Sequence, residues 1–299
     1  YDLKLNEKGS SISANVYYSY IDYYLYNDQV LTRTDSQGVF IDDAPYKQEV
    51  LNDNNSHDLR LETDYTAVIT EATKLETGVS FQRYNRFLDI TYAQFNYDVN
   101  DLINNPLYTN KYNFDEDIFG AYVNLNTTFW GIKSSMGLRM EYTDRVLKRK
   151  QSNERYDYDK VNFFPGFSFS KAIDDHQSLK LALTNRINRP DEYMMNPFPE
   201  FEDDYFYSEG NPYLIPEIVR NAEMGYQLAK NGLMVAANVY YRKTKDKLEQ
   251  KLTIGEDDKI HTIFHNASKD RSIGSELMVN VSPNSWWSIN ANTNLYHYK

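Results

Sequence analysis

The stretch "SLKLALTNRINRPDEYMMNPFPEFEDDYFYSEGNPYLIPE", residues 178–217, joins two contrasting patterns. In its first part, Leu179, Leu181 and Leu183 alternate with polar side chains. Apolar residues at a period of two predict a β-strand with one apolar and one polar face. The remainder is rich in proline, acids and aromatics, which predicts a long connection before the next strand.

The same alternation recurs along most of the chain, and helical spacing is hard to find. In "AYVNLNTTFW", Ala121, Val123 and Leu125 alternate with Asn124 and Asn126. Segments of nine or more residues are long enough to cross a bilayer as tilted strands. The pattern predicts about eleven strands, at 11–27, 57–70, 75–85, 116–129, 132–145, 161–171, 178–188, 217–229, 232–245, 259–281 and 286–298.

The connections between these strands are sorted by length. Short turns at "TEAT", "WG", "AIDDHQ", "AKNG" and "SPNS" alternate with long polar connections near 28–56, 86–115, 146–160, 189–216 and 246–258. A soluble sandwich gives no reason for such sorting, whereas an outer membrane barrel has short periplasmic turns and long extracellular loops. We therefore predict an all-β, antiparallel transmembrane β-barrel.

The three tryptophans fall at or beside short turns. Trp130, Trp286 and Trp287 occupy the places where an interfacial aromatic girdle would be expected in a membrane barrel. The alternative is that these side chains simply cover the ends of hairpins.

Composition excludes several classes of function. The net charge of −11, without a broad cluster of Lys and Arg, argues against nucleic acid as a partner. There is no cysteine, and we find no nucleophile elbow, phosphate-binding glycine loop or zinc signature. His261 and His265 would be about 13 Å apart on a strand, too far to share one ion. We predict no catalytic residue, no metal and no cofactor.

Several motifs carry a family resemblance. "NRINRP", "NPF", "GNPYLIPE" and the long run "NASKDRSIGSELMVNVSPNSWWSINANTNLY" resemble the C-terminal barrel region of TonB-dependent outer membrane receptors, and most closely the outer membrane β-barrel family related to them. Shorter matches are "DLRLETDYT", "MGLRMEYTD" and "FFPGFSFS". The motif positions are Arg189, Pro190, Asn196, Pro197, Gly210, Asn211, Pro212, Pro216, Glu217, Gly274 and Glu276.

The resemblance implies a Gram-negative outer membrane receptor with about 22 strands and a plug inside the barrel. Its partners would be outer membrane lipid and the TonB system, which contacts a segment before the plug. We expect residues 1–299 to form one partial outer membrane β-barrel domain, with the plug domain and the terminal strands lying outside this chain.

The long connection between the predicted strands at 178–188 and 217–229 contains the candidate binding residues. The prolines and Gly210 predict a rigid corner that re-enters the next strand. The aromatic rings and carboxylates could present stacking faces and charges to a sugar, a peptide or a partner protein. These residues are Phe198, Phe201, Asp203, Asp204, Tyr205, Phe206 and Tyr207.

Charged residues on the polar parity of the strands predict a second set of contacts. Arg139, Glu141, Arg186 and Glu223 would face the lumen of a barrel. They could line a conduit or form a salt-bridged network, and the resemblance favours support of a plug.

Two functions of different classes follow. The first is a TonB-dependent receptor that imports a ligand across the outer membrane. The second is a non-transporting barrel that serves as a structural or assembly subunit of an outer membrane complex, alongside a surface lipoprotein or other subunits. A soluble all-β binding module is a third and weaker alternative.

Overall fold

The computed structural model describes residues 1–41, 43–152, 154–203, 206–255 and 259–299. Within these ranges the chain forms fifteen strands and one four-residue helix, α1 (Glu192–Met195). The strands are β1 (Asp2–Lys4), β2 (Ser11–Leu31), β3 (Tyr46–Thr70), β4 (Thr73–Asn96), β5 (Asp101–Asn104), β6 (Asn110–Phe129), β7 (Ile132–Arg149), β8 (Arg155–Ala172), β9 (Gln177–Asn188), β10 (Pro199–Asp203), β11 (Phe206–Glu209), β12 (Glu217–Lys230), β13 (Leu233–Ile254), β14 (Ile260–Asn284) and β15 (Trp287–Tyr298).

Eleven long strands form one antiparallel meander, in the order β2-β3-β4-β6-β7-β8-β9-β12-β13-β14, and β15 pairs with β14. The predicted all-β architecture and the eleven strands are therefore confirmed. Several strands run further than their alternation indicated; β3 and β14 each contain 25 residues. Backbone hydrogen bonds extend these ladders into polar sequence, where side-chain alternation carries no signal. Across the described residues the sheet is open, with β2 and β15 near its opposite ends.

Short strands join this meander at both of its ends. β1 lies at the lower end, beside the short turns, because it pairs with residues 11–13 of β2, and the other short strands lie at the upper end, away from the short turns. β1 pairs with β2, and β5 pairs with β4. The β10–β11 hairpin joins the upper part of β14 through a parallel pairing of β11 with Ile260–Ile263. Alternation over so few residues gives no usable period, so the sequence did not predict these strands.

Two of the short turns owe their form to glycine. Trp130 and Gly131 have φ angles of 52° and 72°, and Asn231 and Gly232 have φ angles of 48° and 76°. Positive φ at both central residues is the type I′ geometry, whose twist matches that of the flanking strands. Each turn therefore returns the chain directly into the neighbouring strand.

The strand register sorts the residues onto two faces. Val123 lies opposite Leu138, which lies opposite Pro165, and these residues belong to what we call the apolar face. On the polar face, Gly120 lies opposite Glu141, and Glu141 lies opposite Asn162. Trp130 and Trp286 are about four-fifths exposed at the short turns, at the lower edge of the sheet.

In the described part of the chain, no helix is long and apolar enough to cross a membrane.

Candidate functional site on the polar face

The long connection predicted from the sequence folds back over the polar face of the sheet. We call the described residues of this connection, 189–203 and 206–216, the inner segment. It leaves β9, forms α1 and the β10–β11 hairpin, and enters β12. Asp191 caps α1, because its carboxylate accepts a 2.8 Å hydrogen bond from the Met194 amide.

Gly210 closes the inner segment on itself. Its amide donates to the Asn196 carbonyl at 2.7 Å, and the Asn211 amide donates to the Met194 carbonyl at 2.8 Å. A Cβ atom at position 210 would lie 2.5 Å from both the amide nitrogen and the carbonyl oxygen of Asn196. Only glycine fits this backbone contact, which explains why the "NPF" and "GNP" motifs occur together.

Apolar side chains anchor the inner segment to the wall of the sheet. Met195, Phe198 and Leu214 are each at most 2% exposed, and they pack against Tyr112 of β6 and Leu147 of β7. Full burial of such side chains contributes about 1.5–3 kcal/mol each. The apolar core of the described residues is therefore centred at this junction, above the apolar band of the strands.

Arg189 fixes the start of the inner segment to β7. Its guanidinium forms a 2.5 Å ion pair with Glu141, and it donates a 3.3 Å hydrogen bond to the Thr143 hydroxyl. Arg139 pairs with the other oxygen of the same carboxylate. The Glu141 side chain is only 3% exposed, so two arginines neutralise one buried charge.

The end of the inner segment is held from two sides. Arg145 on β7 donates a 2.5 Å hydrogen bond to the Leu214 carbonyl. On β14, Asn266 accepts from the Ile215 amide at 3.0 Å and donates to the Ile215 carbonyl at 2.8 Å. These bonds join strands that are five positions apart in the order of the sheet.

A further link reaches β4. The Arg86 guanidinium lies 3.7 Å from the Glu192 carboxylate of α1 and is also paired with Asp58 of β3. The inner segment thus has charged or hydrogen-bonded contacts with β4, β7 and β14.

Glu116 supplies a buried carboxyl group beside this network. It lies about thirteen residues along β6 from the Trp130–Gly131 turn, beyond the nine to eleven or so that cross a bilayer. Burial raises the pKa of the Glu116 carboxyl, while the nearby charges of Arg189 and Arg145 act in the opposite direction. Burial lowers the pKa of Arg145 and of Arg189. Both side chains stay charged, because the ordinary pKa of an arginine lies far above neutral pH.

A second recess lies on the same face, between β9 and β15. Its volume is about 860 Å³. Arg186 and Glu223 line it together, as do Arg242 and Asp270. The predicted lumen-facing residues therefore form two groups, with Arg139 and Glu141 at the inner segment and Arg186 and Glu223 at this recess. Their proposed role in supporting a plug stays a prediction.

The predicted binding loop has a different arrangement from the one expected. Phe198 is 2% exposed, so it anchors the inner segment instead of presenting a ring to a ligand, and the sequence-based expectation for this side chain needs correction. Phe206 is half-buried, and the hydroxyl of Tyr207 hydrogen-bonds with His261 of β14. Phe201 and Asp203 belong to β10. Asp204 and Tyr205 lie outside the described residues.

The motif residues shape the two ends of the inner segment. Pro190, Pro197, Pro212 and Pro216 restrict the backbone before each turn. Asn211 accepts a 3.0 Å hydrogen bond from the Tyr213 amide.

Further motif positions lie on the strands. The Glu217 carboxylate accepts from the Asn188 side chain and from the Leu248 amide, each at 3.0 Å. A Cβ atom on Gly274 would lie 2.6 Å from the Tyr240 ring, so glycine makes room for that ring on the polar face. Glu276 lies on the same face, opposite Asn238.

Sequence reasoning missed Glu116, Arg145 and Asn266. Arg145 has the same strand parity as Arg139 and Glu141, so continuing the period of two along β7 would have found it. Asn266 had no such signal, because its contact with Ile215 depends on how the inner segment folds back.

Metal binding gains no support from this geometry. Among the described residues, no group of three or more His, Asp or Glu side chains is placed to hold an ion. His261 and His265 lie four residues apart on β14, as the strand interpretation predicted.

Comparison with known proteins agrees with this fold. The copper transporter OprC is 16% identical with a TM-score of 0.68, over 97% of this chain and 44% of that chain. The ferric citrate transporter FecA is 11% identical with a TM-score of 0.65, and the match covers 97% of this chain and 40% of that chain. The ferric-catecholate import receptor Fiu from E. coli K12 is 11% identical with a TM-score of 0.62, and the match covers 98% of this chain and 46% of that chain.

These neighbours are TonB-dependent receptor and transporter barrels, not enzymes. This chain spans less than half the length of each of these three. No curated protein matches the sequence. A family model described as the outer membrane protein beta-barrel family matches residues 3–299. The chain therefore belongs to the outer membrane β-barrel family and is located in the outer membrane of a Gram-negative bacterium.

Proposed function

We propose that this chain forms part of the wall of a TonB-dependent receptor that imports a ligand across the outer membrane. The observation that carries the proposal is the inner segment, which is attached to β4, β7 and β14 over the polar face. In a closed barrel, a segment fixed over the polar face would narrow the passage and would lie where a captured solute has to pass.

The domain organisation forms part of the same proposal. Residues 1–299 contribute about half of a barrel of about 22 strands, and the plug and the terminal strands lie outside this chain. Eleven long strands, and coverage of 40% to 46% of the three neighbours, support that proportion. The TonB system would act through the plug.

The test uses the protein purified from outer membranes. Intact mass and terminal peptide mapping should show a chain far longer than the 35.2 kDa of these 299 residues, with room for a plug. The purified protein should also bind the periplasmic domain of TonB. A mature mass near 35.2 kDa, or no TonB binding by the complete chain, would overturn the proposal.

A structural role in an outer membrane complex is the second candidate. Val39, Phe40 and Ile41, in the connection between β2 and β3, are 56%, 72% and 61% exposed. Consecutive exposed apolar side chains at the end of the sheet opposite the short turns suit contact with a surface lipoprotein or another subunit. Gentle solubilisation should then yield a stoichiometric complex that a Phe40→Asp variant loses. Unchanged recovery of the complex from that variant would argue against this surface.

A further inference from the structure

A compact group of positive charges lies on the outward, apolar side of β12, β13 and β14. The register places Arg220 opposite Lys243, and Lys243 opposite Arg271. One step further from the short turns, Lys245 lies opposite Lys269. Directly opposed residues have Cβ atoms about 4.5–5.5 Å apart, and residues two apart on a strand are separated by about 7 Å. We call these five residues the outer basic patch.

Strand parity shows which way the patch faces. Arg220 shares its parity with Met224, Lys243 with Val239, and Arg271 with Leu277, all of them residues of the apolar face. The patch therefore continues the lipid-facing surface and does not belong to the lumen.

The height of the patch is equally well defined. Arg220 and Lys243 lie about eleven residues from the Asn231–Gly232 turn. A strand of about nine to eleven residues crosses the hydrocarbon, so the patch lies where the apolar band ends and the outer headgroups begin.

Most of these positive charges have no acidic partner among the described residues. Arg220, Lys245, Lys269 and Arg271 are exposed. Lys245 has one acidic neighbour, Asp246, at 3.1 Å. Across the described residues, the other four members form no ion pair within 4.0 Å. Like charges directly opposite one another repel, so this arrangement is unfavourable unless an external anion lies between them.

The other half of the sheet has the opposite charge at a similar height. Asp117, Asp144 and Asp159 lie opposite one another on the outward side of β6, β7 and β8. The cation in that row, Arg83, is already paired with Asp117 at 2.5 Å. Five cations on neighbouring strands therefore contrast both with this acidic row and with the net charge of −11 of the chain.

We propose that the outer basic patch binds the phosphate groups of an anionic lipid in the outer leaflet. Arginine and lysine side chains at this level can donate several charge-assisted hydrogen bonds to phosphate, while the acyl chains lie against the apolar face below. The site faces the membrane and is independent of the proposed transport.

The test measures binding of lipid A to the complete protein, purified in detergent and freed of bound lipid. Lipid A with two phosphates should bind, and binding should weaken as salt is raised, because the charges are exposed. The Arg220→Gln/Lys243→Gln/Arg271→Gln variant should lose about tenfold or more in affinity. Each single change should give a partial loss, which keeps the test valid if the triple variant does not assemble.

The matched controls separate lipid binding from other effects. Arg83→Gln removes an outward cation at a similar height that is already paired, and it should leave affinity unchanged. An Arg220→Lys/Arg271→Lys variant should retain most of the binding. Fully dephosphorylated lipid A should bind weakly, and inorganic phosphate should compete poorly. Equal binding by the triple variant, equal binding of dephosphorylated lipid, or strong competition by phosphate alone would each overturn the proposal.

Discussion

At the scale of single residues, the inner segment depends on a few charges that are out of water. Glu141 is nearly fully buried and interacts with Arg139 and Arg189. A buried charge is tolerated when its partners are in place, and it becomes costly when one partner is removed. Arg189 is the partner that connects the wall to the inner segment.

Arg189→Met should lower the free energy of unfolding by about 3 kcal/mol, because Glu141 keeps its burial and loses one of its partners. It should also make the inner segment more susceptible to proteolysis. Urea unfolding in lipid vesicles and limited proteolysis measure the two effects. Arg155→Met is the control: both members of the Arg155–Asp157 pair are more than half exposed, so a change below about 1 kcal/mol is expected. Equal effects of the two variants would contradict the role given to Arg189.

Glu116 gives the stability of the protein a specific pH dependence. The pKa of this carboxyl is raised in the folded state above its ordinary value of 4.5. Its protonated form therefore favours folding below about pH 4.5, and this contribution is lost as the pH rises through the folded pKa. Glu116→Gln should raise the Tm at pH 7 and have little effect at pH 4. A variant that is less stable than the parent at pH 7 would show that the charged carboxylate is needed.

At the scale of elements, the short turns determine how neighbouring strands return. The Trp130–Gly131 and Asn231–Gly232 turns share the same positive φ angles, but their surroundings differ. A Cβ atom on Gly131 would have nothing within 4 Å, whereas one on Gly232 would lie 2.6 Å from the Ser282 carbonyl oxygen.

Gly131→Ala should therefore lower the free energy of unfolding by about 1 kcal/mol, which is the penalty for placing alanine in a left-handed backbone conformation. Gly232→Ala should lower the free energy of unfolding by about 2–4 kcal/mol, because it adds a clash with the backbone of Ser282 to the same penalty. The difference between the two unfolding free energies measures the clash alone. Identical losses would mean that the contact with Ser282 relaxes without cost.

At the scale of the whole molecule, each strand separates a lipid face from a lumen face. Ala236 and Ala237 are adjacent on β13 and have the same side chain, but Ala237 lies on the apolar face opposite Leu277, and Ala236 lies on the polar face opposite Met278. Both are near the middle of the membrane-crossing part of the strand.

Ala237→Arg should destabilise the barrel by about 2–4 kcal/mol, because a charge at the bilayer midplane must leave water. Ala236→Arg should cost much less, because the lumen is hydrated. Unfolding in lipid vesicles and the yield of folded protein in the outer membrane provide the measurement. A larger loss for Ala236→Arg would reverse the assignment of the two faces.

Much of the fold follows from local sequence. Alternation along segments such as Leu179–Leu183 predicts the strands, and the sorting of connections by length predicts a barrel, because both depend on residues close together in the chain. Turn positions such as Trp130–Gly131 follow for the same reason. The resemblance carried by the "GNPYLIPE" motif adds the family, which the family model confirms.

The sequence by itself thus determined the strands, their two faces and the level of the membrane. Only the tertiary structure decided that the inner segment folds inward, that Phe198 is an anchor, and that Arg145 and Asn266 hold its end. It also brought Arg220, Lys243 and Arg271 into one row. The physical reason is that each of these contacts joins residues distant in sequence, and their positions depend on strand register and packing, which no local pattern specifies.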